Sequence, residues 1–371
     1  MEMNKDNSIL NDKNEYPRWN YSNNQKYLEV SANNHYQLGL LQGEFLSKKI
    51  YNFQALIKKL LIRYYRKRYA YNRLKNVAEI YEKNIPSHLK LEMQGMADAL
   101  QDINYRDILL QNCFLDLLYG HLIPNDIYSL ILHYYNIGCT SFGAVNNKST
   151  IIGQNFDLAI PFKSSLSFVL IKMPNKPNIF TLRLGSLLSL PVGINSYGIV
   201  VNINVVKTRI KGKFSIPVSI RTRIALELSK SAESFYTFYI QTPLNASFNL
   251  LISDNSKIIA TENIPNKHNR VDVKNTIVKS NTFISNPYQQ FLIKKKYSKR
   301  RQRYAESLLN SQYKKYKSNI TDEILLNILA DEPIICRLKP YKPMTLAFLT
   351  KNHFGRGNAK YFNHGNIPIN N

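Results

Sequence analysis

Asn136-Ile137-Gly138-Cys139-Thr140-Ser141, followed by Gly153-Gln154-Asn155-Phe156-Asp157, is the stretch on which the reading of this chain turns. A cysteine stands directly after a glycine, and an aspartate follows eighteen residues later. The spacing predicts a β-hairpin. One strand starts at Cys139, polar residues turn the chain at Asn146-Asn147-Lys148-Ser149, and a second strand runs from Thr150 to Asn155. A hairpin of that length folds Asp157 back beside Cys139, so local structure alone pairs a thiol with a carboxylate.

A thiol is a strong nucleophile only as thiolate, which requires a nearby base or positive charge. Cutting the Gly138–Cys139 bond would give Cys139 a free α-amino group, with a pKa of about 8, as its own base. Glycine at 138 suits such a cut, because no side chain hinders attack on its carbonyl. Without such a context, a cysteine in an apolar strand reads as an ordinary buried residue.

Gly-Cys-Thr-Ser with Gly-Gln-Asn-aromatic-Asp resembles the N-terminal-nucleophile hydrolases, in particular the acyl-coenzyme A:6-aminopenicillanic acid acyltransferase family. The acid ceramidase and choloylglycine hydrolase groups are more distant relatives. They usually carry Gly-Arg-Asn-x-Asp, and Gln154 at the arginine position favours the acyltransferase-like branch. Tyr36-x-x-Gly39-x-x-x-Gly43, Glu92-x-x-Gly95-x-Ala97-Asp98 and Gly193-x-Asn195-x-x-Gly198 resemble further family segments. The resemblance runs from about His35 to Thr350. It implies an α+β fold, a four-layer αββα sandwich of two antiparallel sheets preceded by a mainly helical segment. After a polar tail at 1–25, residues 26–138 would form an α subunit on self-cleavage, and 139–371 a β subunit bearing the nucleophile.

The resemblance also implies the site. Gly138 and Cys139 would flank the autocleavage bond, and Cys139 would be the nucleophile. Asp157 would orient or balance the new amine, and Asn249 would donate to the oxyanion. Ser298-Lys299-Arg300-Arg301 resembles the Ser-x-x-Arg that opens a family helix; the run Lys299, Arg300, Arg301, Arg303 leaves its register open by a residue or more, Arg301 is the choice, and pairing with Asp157 is one role open to it. Without the resemblance it reads as part of a solvated basic helix. Thr140, Asn155 and Asn281 are candidates for touching substrate. The family shows His-Thr-Asn-His around Asn281, whereas Lys279 and Thr282 stand here. That departure bears on the identity of the acyl acceptor. Cys336 matches a cysteine near the end of the family and reads as packing, as does Cys113.

The 371 residues exceed the usual ~250–300 of one simple core, which calls for two segments or one large layered domain. At 44% hydrophobic residues the chain can bury that core. The net charge of +25 invites a nucleic-acid or anionic-membrane partner. No nucleic-acid motif accompanies it, and joint abundance of Lys, Asn, Ile and Tyr is also typical of AT-rich coding sequence. Three scattered cysteines and histidines without metal-ligand spacing argue against a disulfide framework and a zinc site. The polar N-terminus lacks an apolar signal core, and no run of ~18 apolar residues occurs, so a cytoplasmic protein is expected.

Helical spacing is expected from His35 to about Arg68, after Pro86, over Tyr105–Tyr119, Ser219–Lys230, Ala232–Gln241, Lys294–Gln312 and Asp322–Leu329. Strands are expected at Lys26–Val30, Ser167–Met173, Ile179–Leu184, Tyr197–Val205, Ala246–Ser253, Ile258–Glu262, Thr276–Ser280 and Met344–Thr350, with Tyr128–Tyr135 ambiguous and a polar tail at the end. The basic, apolar-striped first helix allows peripheral contact with a membrane surface.

The expected activity is a self-processing cysteine hydrolase or acyltransferase acting on an N-acyl amide or acyl thioester. It needs no cofactor, and coenzyme A would at most carry the substrate. One alternative is a lipid-amide hydrolase of the ceramidase type. Another is a non-catalytic basic protein binding anionic lipid or nucleic acid.

Overall fold

The computed structural model describes residues 17–22, 25–65, 69–125, 138–147, 149–190, 192–293, 296–316, 319–332, 334–336, 344–353 and 356–364, those at 22, 25, 63–65 and beyond 343 by their backbone alone. Expectations for residues 128–135, and for Asn136 and Ile137, lie outside this set. The hairpin forms where its alternation and polar turn place it. Strands β3 (Gly138–Asn146) and β4 (Ser149–Leu158) pair antiparallel, with Gly138 opposite Asp157 and Cys139 opposite Phe156.

Both strands lie at the centre of the smaller sheet, whose order is β12 (Thr276–Ser280), β3, β4, β13 (Met344–His353), β14 (Arg356–His364). The larger sheet begins with β1 (Arg18–Ser22), β2 (Gln25–Ser31), β5 (Leu166–Lys172) and β6 (Ile179–Leu184). It continues through β7 (Val192–Asn195), β8 (Val200–Val205), β9 (Phe248–Ser253), β10 (Ile258–Ile264) and β11 (Lys267–Val273). The smaller sheet is antiparallel throughout the described residues. In the larger one β2 runs parallel to β5, a departure from the expected all-antiparallel pattern. The chain reaches β5 only after the helical segment and the β3–β4 hairpin, so no tight turn dictates its direction relative to β2.

The sheets face each other through β3 and β4 on one side and β8, β9 and β10 on the other. Helices α1 (His35–Phe45), α2 (Ser47–Tyr65), α3 (Ala70–Glu82), α4 (Ser87–Asp98) and α5 (Tyr105–Asp116) precede the hairpin. With α6 (Val218–Leu228) and α7 (Ala232–Ile240) they make the layer on the larger sheet. Helices α8 (Lys296–Lys315) and α9 (Asp322–Leu329) cover the smaller sheet. The result is the expected αββα order of layers.

Several boundaries differ from the sequence reading. The first helix breaks at Leu46 into α1 and α2, and α3 lies in a stretch assigned no element. Strand β1 occupies the expected polar tail, and β14 follows β13 where another tail was expected. These strands are polar and exist by pairing with a neighbour, which periodicity cannot detect.

Side chains satisfy the free N–H groups at the start of some helices. Asn104 and Asp107 form a reciprocal capping box on α5, and Thr321 caps α9. Helices α1 and α4 cross with almost no separation. A Cβ on Gly39 would stand 2.0 Å from the Glu92 carbonyl oxygen, and one on Gly95 2.2 Å from that of Tyr36. The glycine spacing seen in the sequence is thus a contact requirement. It brings His35 and Gln42 of α1 against Glu92 of α4, where His35 Nδ1 lies 2.9 Å and Gln42 Nε2 3.0 Å from the carboxylate.

Glu92 is fully buried and also takes Arg223 Nη1 at 3.0 Å. Burial alone would raise its pKa; the Arg223 guanidinium and the His35 contact outweigh that and hold it at about 2. A carboxyl whose folded pKa is depressed stabilises the fold fully above its unfolded pKa, and loses that contribution as pH falls through the folded value. The stability gap between wild type and Glu92→Gln is therefore expected to be largest above about pH 5 and to shrink on the order of 3 kcal/mol towards about pH 2. Urea unfolding across that range reads it, and a gap independent of pH would show that Glu92 is not held ionised.

Candidate active site

Alternation along a strand sends neighbouring side chains to opposite faces. Ser141 meets Asn204 of β8 at 2.8 Å and Gln154 donates to the Ile203 carbonyl at 2.8 Å, so the residues in phase with them face the other sheet. Cys139 is one of these, opposite Phe156. Thr140, Asn155 and Asp157 take the other face, towards α8 and α9. Asn155 Nδ2 donates to the Leu329 carbonyl at 2.7 Å, and the Asp157 carboxylate is met by Arg301 Nη1 at 3.7 Å. The hairpin thus brings aspartate and cysteine together at the backbone, with thiol and carboxylate on opposite faces. The direct thiol–carboxylate pairing expected from sequence is corrected by the register, which sets Asp157 against Gly138.

Arg301 connects the two faces. Its side chain is 1% exposed, and its Nη2 donates to the Cys139 carbonyl at 3.0 Å and to Asn281 Oδ1. The same Asn281 oxygen accepts the Cys139 backbone N–H at 2.7 Å, while Asn281 Nδ2 donates to the Val205 carbonyl at 2.8 Å. Four of the expected residues, Cys139, Asp157, Asn281 and Arg301, therefore meet in one buried cluster. It closes around the backbone nitrogen of Cys139.

Asn249 supports this cluster from β9. Its Nδ2 donates at 2.8 Å to the carbonyls of both Ser280 and Thr282, the residues flanking Asn281. Glu262, opposite Asn249, accepts Lys279 Nζ at 2.7 Å and the backbone N–H groups of Ile284 and Ser285 at 2.8 and 2.9 Å. The lysine that replaces a family histidine is thus a buried ion-pair partner that shapes the turn carrying Asn281. Thr140 and Asn155, expected to touch substrate, face α8 and α9 instead of the thiol. The Thr140 hydroxyl finds no hydrogen-bond partner among the described residues.

Cys139 is 1% exposed. Burial pushes its thiol up to about 12, the Asp157 charge adds to this, and Arg301, Asn281 and Gln154 pull the other way. In the intact chain the thiol is protonated at neutral pH.

Two residues near the thiol were not singled out as site residues in the sequence. Gln154, at the position where relatives carry arginine, hydrogen-bonds the thiol from the neighbouring strand. Tyr119 sits in a π-helical turn, Leu117–Leu122, that continues α5. Its phenol is held well above the usual range, first by burial and then by the Cys139 charge, and its hydroxyl is buried without a partner among the described residues. Insertions of this kind recur at functional sites, but nothing in the local sequence announces one.

Two facing sheets clasped by helices define an αββα sandwich, with Cys139 at the head of a strand of the smaller sheet. Residues 145–353 match the acyl-coenzyme A:6-aminopenicillanic acid acyl-transferase family, more than half of the chain, and the protein belongs to that family. The matched span includes Asp157, Asn249, Asn281 and Arg301 and begins just after Cys139. No curated protein sequence matches. Among solved structures, the chain is similar to a Caenorhabditis elegans orthologue of N-acylethanolamine-hydrolyzing acid amidase, at 16% identity and TM-score 0.46, over 57% of this chain and 92% of that one. It is also similar to a mutant of conjugated bile acid hydrolase from Clostridium perfringens, at 14% identity and TM-score 0.39, over 62% of this chain and 94% of that one. Among the described residues no helix is long and apolar enough to cross a membrane.

Proposed function

We propose that this protein is a self-processing cysteine hydrolase or acyltransferase for N-acyl amides or acyl thioesters, with Cys139 as nucleophile. The observation that carries the reading is the clustering of Asn281 and Arg301 on the backbone amide of Cys139. Any buried main-chain N–H needs an acceptor; here the acceptor is an asparagine whose oxygen is itself fixed by a buried arginine that also faces Asp157.

In the processing step Cys139 Sγ attacks the Gly138 carbonyl carbon. The S–C bond forms, the C–N bond breaks, and the thiol proton ends on the departing nitrogen. Asn281 Oδ1 accepts from that nitrogen beforehand and holds the new amine afterwards. Water then hydrolyses the thioester, releasing the Gly138 carboxylate and the Cys139 thiol. The freed α-amine, with an unperturbed pKa of about 8, is the base that the buried thiol of the intact chain lacks. In turnover the thiol attacks the substrate carbonyl, its proton passes through the amine to the leaving group, and water or a second amine resolves the acyl-enzyme.

Arg301 holds Asn281 and balances Asp157. Asn249 braces the turn around Asn281. The oxyanion role implied by resemblance would require one of its two carbonyl contacts to be released. The steps use the chain's own residues and water, so coenzyme A enters only as a carrier of the acyl group.

Incubation with a p-nitrophenyl acyl ester, followed by acid quench and peptide mass analysis, tests the reading. The expected result is one acyl adduct on a peptide that begins with Cys139. Acylation elsewhere, or none while Cys139 is a free N-terminus, would exclude Cys139 as the nucleophile.

A further inference from the structure

A second cluster of charged groups lies away from the thiol, where α1, α4 and α6 meet. Arg223, fully buried on α6, takes one oxygen from each of two carboxylates: Glu92 Oε1 at 3.0 Å and Glu227 Oε1 at 2.8 Å. Each carboxylate keeps its second oxygen for another partner. Glu92 Oε2 faces His35 Nδ1 at 2.9 Å. Glu227 Oε2 faces Lys176 Nζ at 3.2 Å and His88 Nε2 at 3.7 Å, the latter beyond hydrogen-bond reach.

The tautomer of His35 follows from its partners. Lys176 Nζ lies 2.6 Å from His35 Nε2, and an ammonium group only donates, so Nε2 carries the lone pair and Nδ1–H donates to Glu92. This carboxylate–imidazole arrangement is the one that orients a metal-ligating histidine. His88 Nε2 is buried and has no hydrogen-bond partner among the described residues, and its ring packs on that of His35 with centroids 4.6 Å apart. His35, His88 and Glu227 each present one ligand atom, all within 4.8 Å of one another.

We infer that this is a binding site for a divalent first-row transition ion of the zinc type, for which the Lys176 ammonium is the competing occupant. Two imidazoles and one carboxylate suit zinc, cobalt or nickel and do not suit magnesium or calcium, which take oxygen ligands. A tetrahedral ion with bonds of about 2.0–2.1 Å needs ligand atoms about 3.4 Å apart, so the cluster must close slightly. His88, with a side chain 41% exposed, has the freedom to do so. Lys176, 33% exposed, can withdraw to solvent.

Arg223 and Arg183 are the opposing charges, and Glu92 and Glu227 already pair with Arg223. His35 and His88 precede Cys139 in the chain and Glu227 follows it. A bound ion therefore ties the segment before the nucleophile to the segment after it, by three ligands that no local motif joins.

The test is titration of the full-length protein with Co2+ alone, followed by its visible absorption and by thermal unfolding, for wild type, Lys176→Met and His88→Ala. The inference expects one equivalent bound with nitrogen–oxygen coordination and no sulfur-to-cobalt charge-transfer band. Lys176→Met should bind at least about tenfold more tightly and His88→Ala at least about tenfold more weakly, and Co2+ should raise the unfolding temperature of the first two only. Absence of saturable binding in Lys176→Met would overturn it. So would binding unchanged in His88→Ala, or a thiolate band placing the ion on a cysteine.

Discussion

Replacing Cys139 by alanine is expected to leave one uncut chain in intact-mass analysis, beside a wild type that separates into two fragments meeting between Gly138 and Cys139. The same replacement is expected to lower acyl transfer on the order of 10⁴-fold or more, because nucleophile and base are lost together. The coupling has a structural cause. In the intact chain the Cys139 nitrogen is an amide, held by Asn281, and burial keeps the thiol protonated, with the Asp157 charge across the strand adding to the effect. Cutting the peptide bond changes that nitrogen from a donor without basicity into a base next to the thiol. A wild-type chain that stays whole yet acylates Cys139 would break this coupling. A Cys139→Ala chain that is still cut at 138/139 would assign the cut to an outside protease.

Arg301→Met carries the second large expectation. The guanidinium is the cation seen beside the fully buried Asp157, and it also holds the Cys139 carbonyl and Asn281. Removing one partner of a buried ion pair takes away compensation from the other charge, which costs up to about 3–5 kcal/mol. Urea unfolding is expected to show a loss of that size in the Cys139→Ala background, where processing cannot confuse the comparison. In an Asp157→Asn background the same Arg301→Met change should cost markedly less, since the anion that the guanidinium balances is gone. Equal losses in both backgrounds would mean that Arg301 acts by packing alone. With Cys139 intact, Arg301→Met should also slow self-cleavage, because Asn281 loses the group that fixes its oxygen on the scissile nitrogen.

Much of the architecture could be read from local pattern. The β3–β4 hairpin, β6 over Ile179–Leu184 and α9 over Asp322–Leu329 stand where alternation or helical spacing put them. Among the elements that escaped, β1, β11 and β14 carry mixed or polar faces and owe their form to neighbours, whereas α3 does carry a helical stripe of Tyr71, Leu74, Ala78 and Tyr81. Gly39 and Gly43 were legible as a packing signal, although their partner, the backbone of α4, was not.

What the sequence determined by itself is the identity and spacing of the reactive groups: a cysteine after glycine, an aspartate one hairpin away, and an asparagine and an arginine in later segments. A short turn sets the register of the hairpin, and that register is local information. Which face each side chain takes, and what waits there, was decided only by the tertiary structure. The layer of α8 brings Arg301 back across 162 residues to Cys139, and β9 places Asn249 beneath the turn of Asn281. The cluster of Glu92, Arg223, Glu227, His35 and His88 likewise draws on three helices far apart in the chain. Long-range packing of this kind leaves no periodic trace. Its energy comes from burial shared among elements, and no one element encodes it.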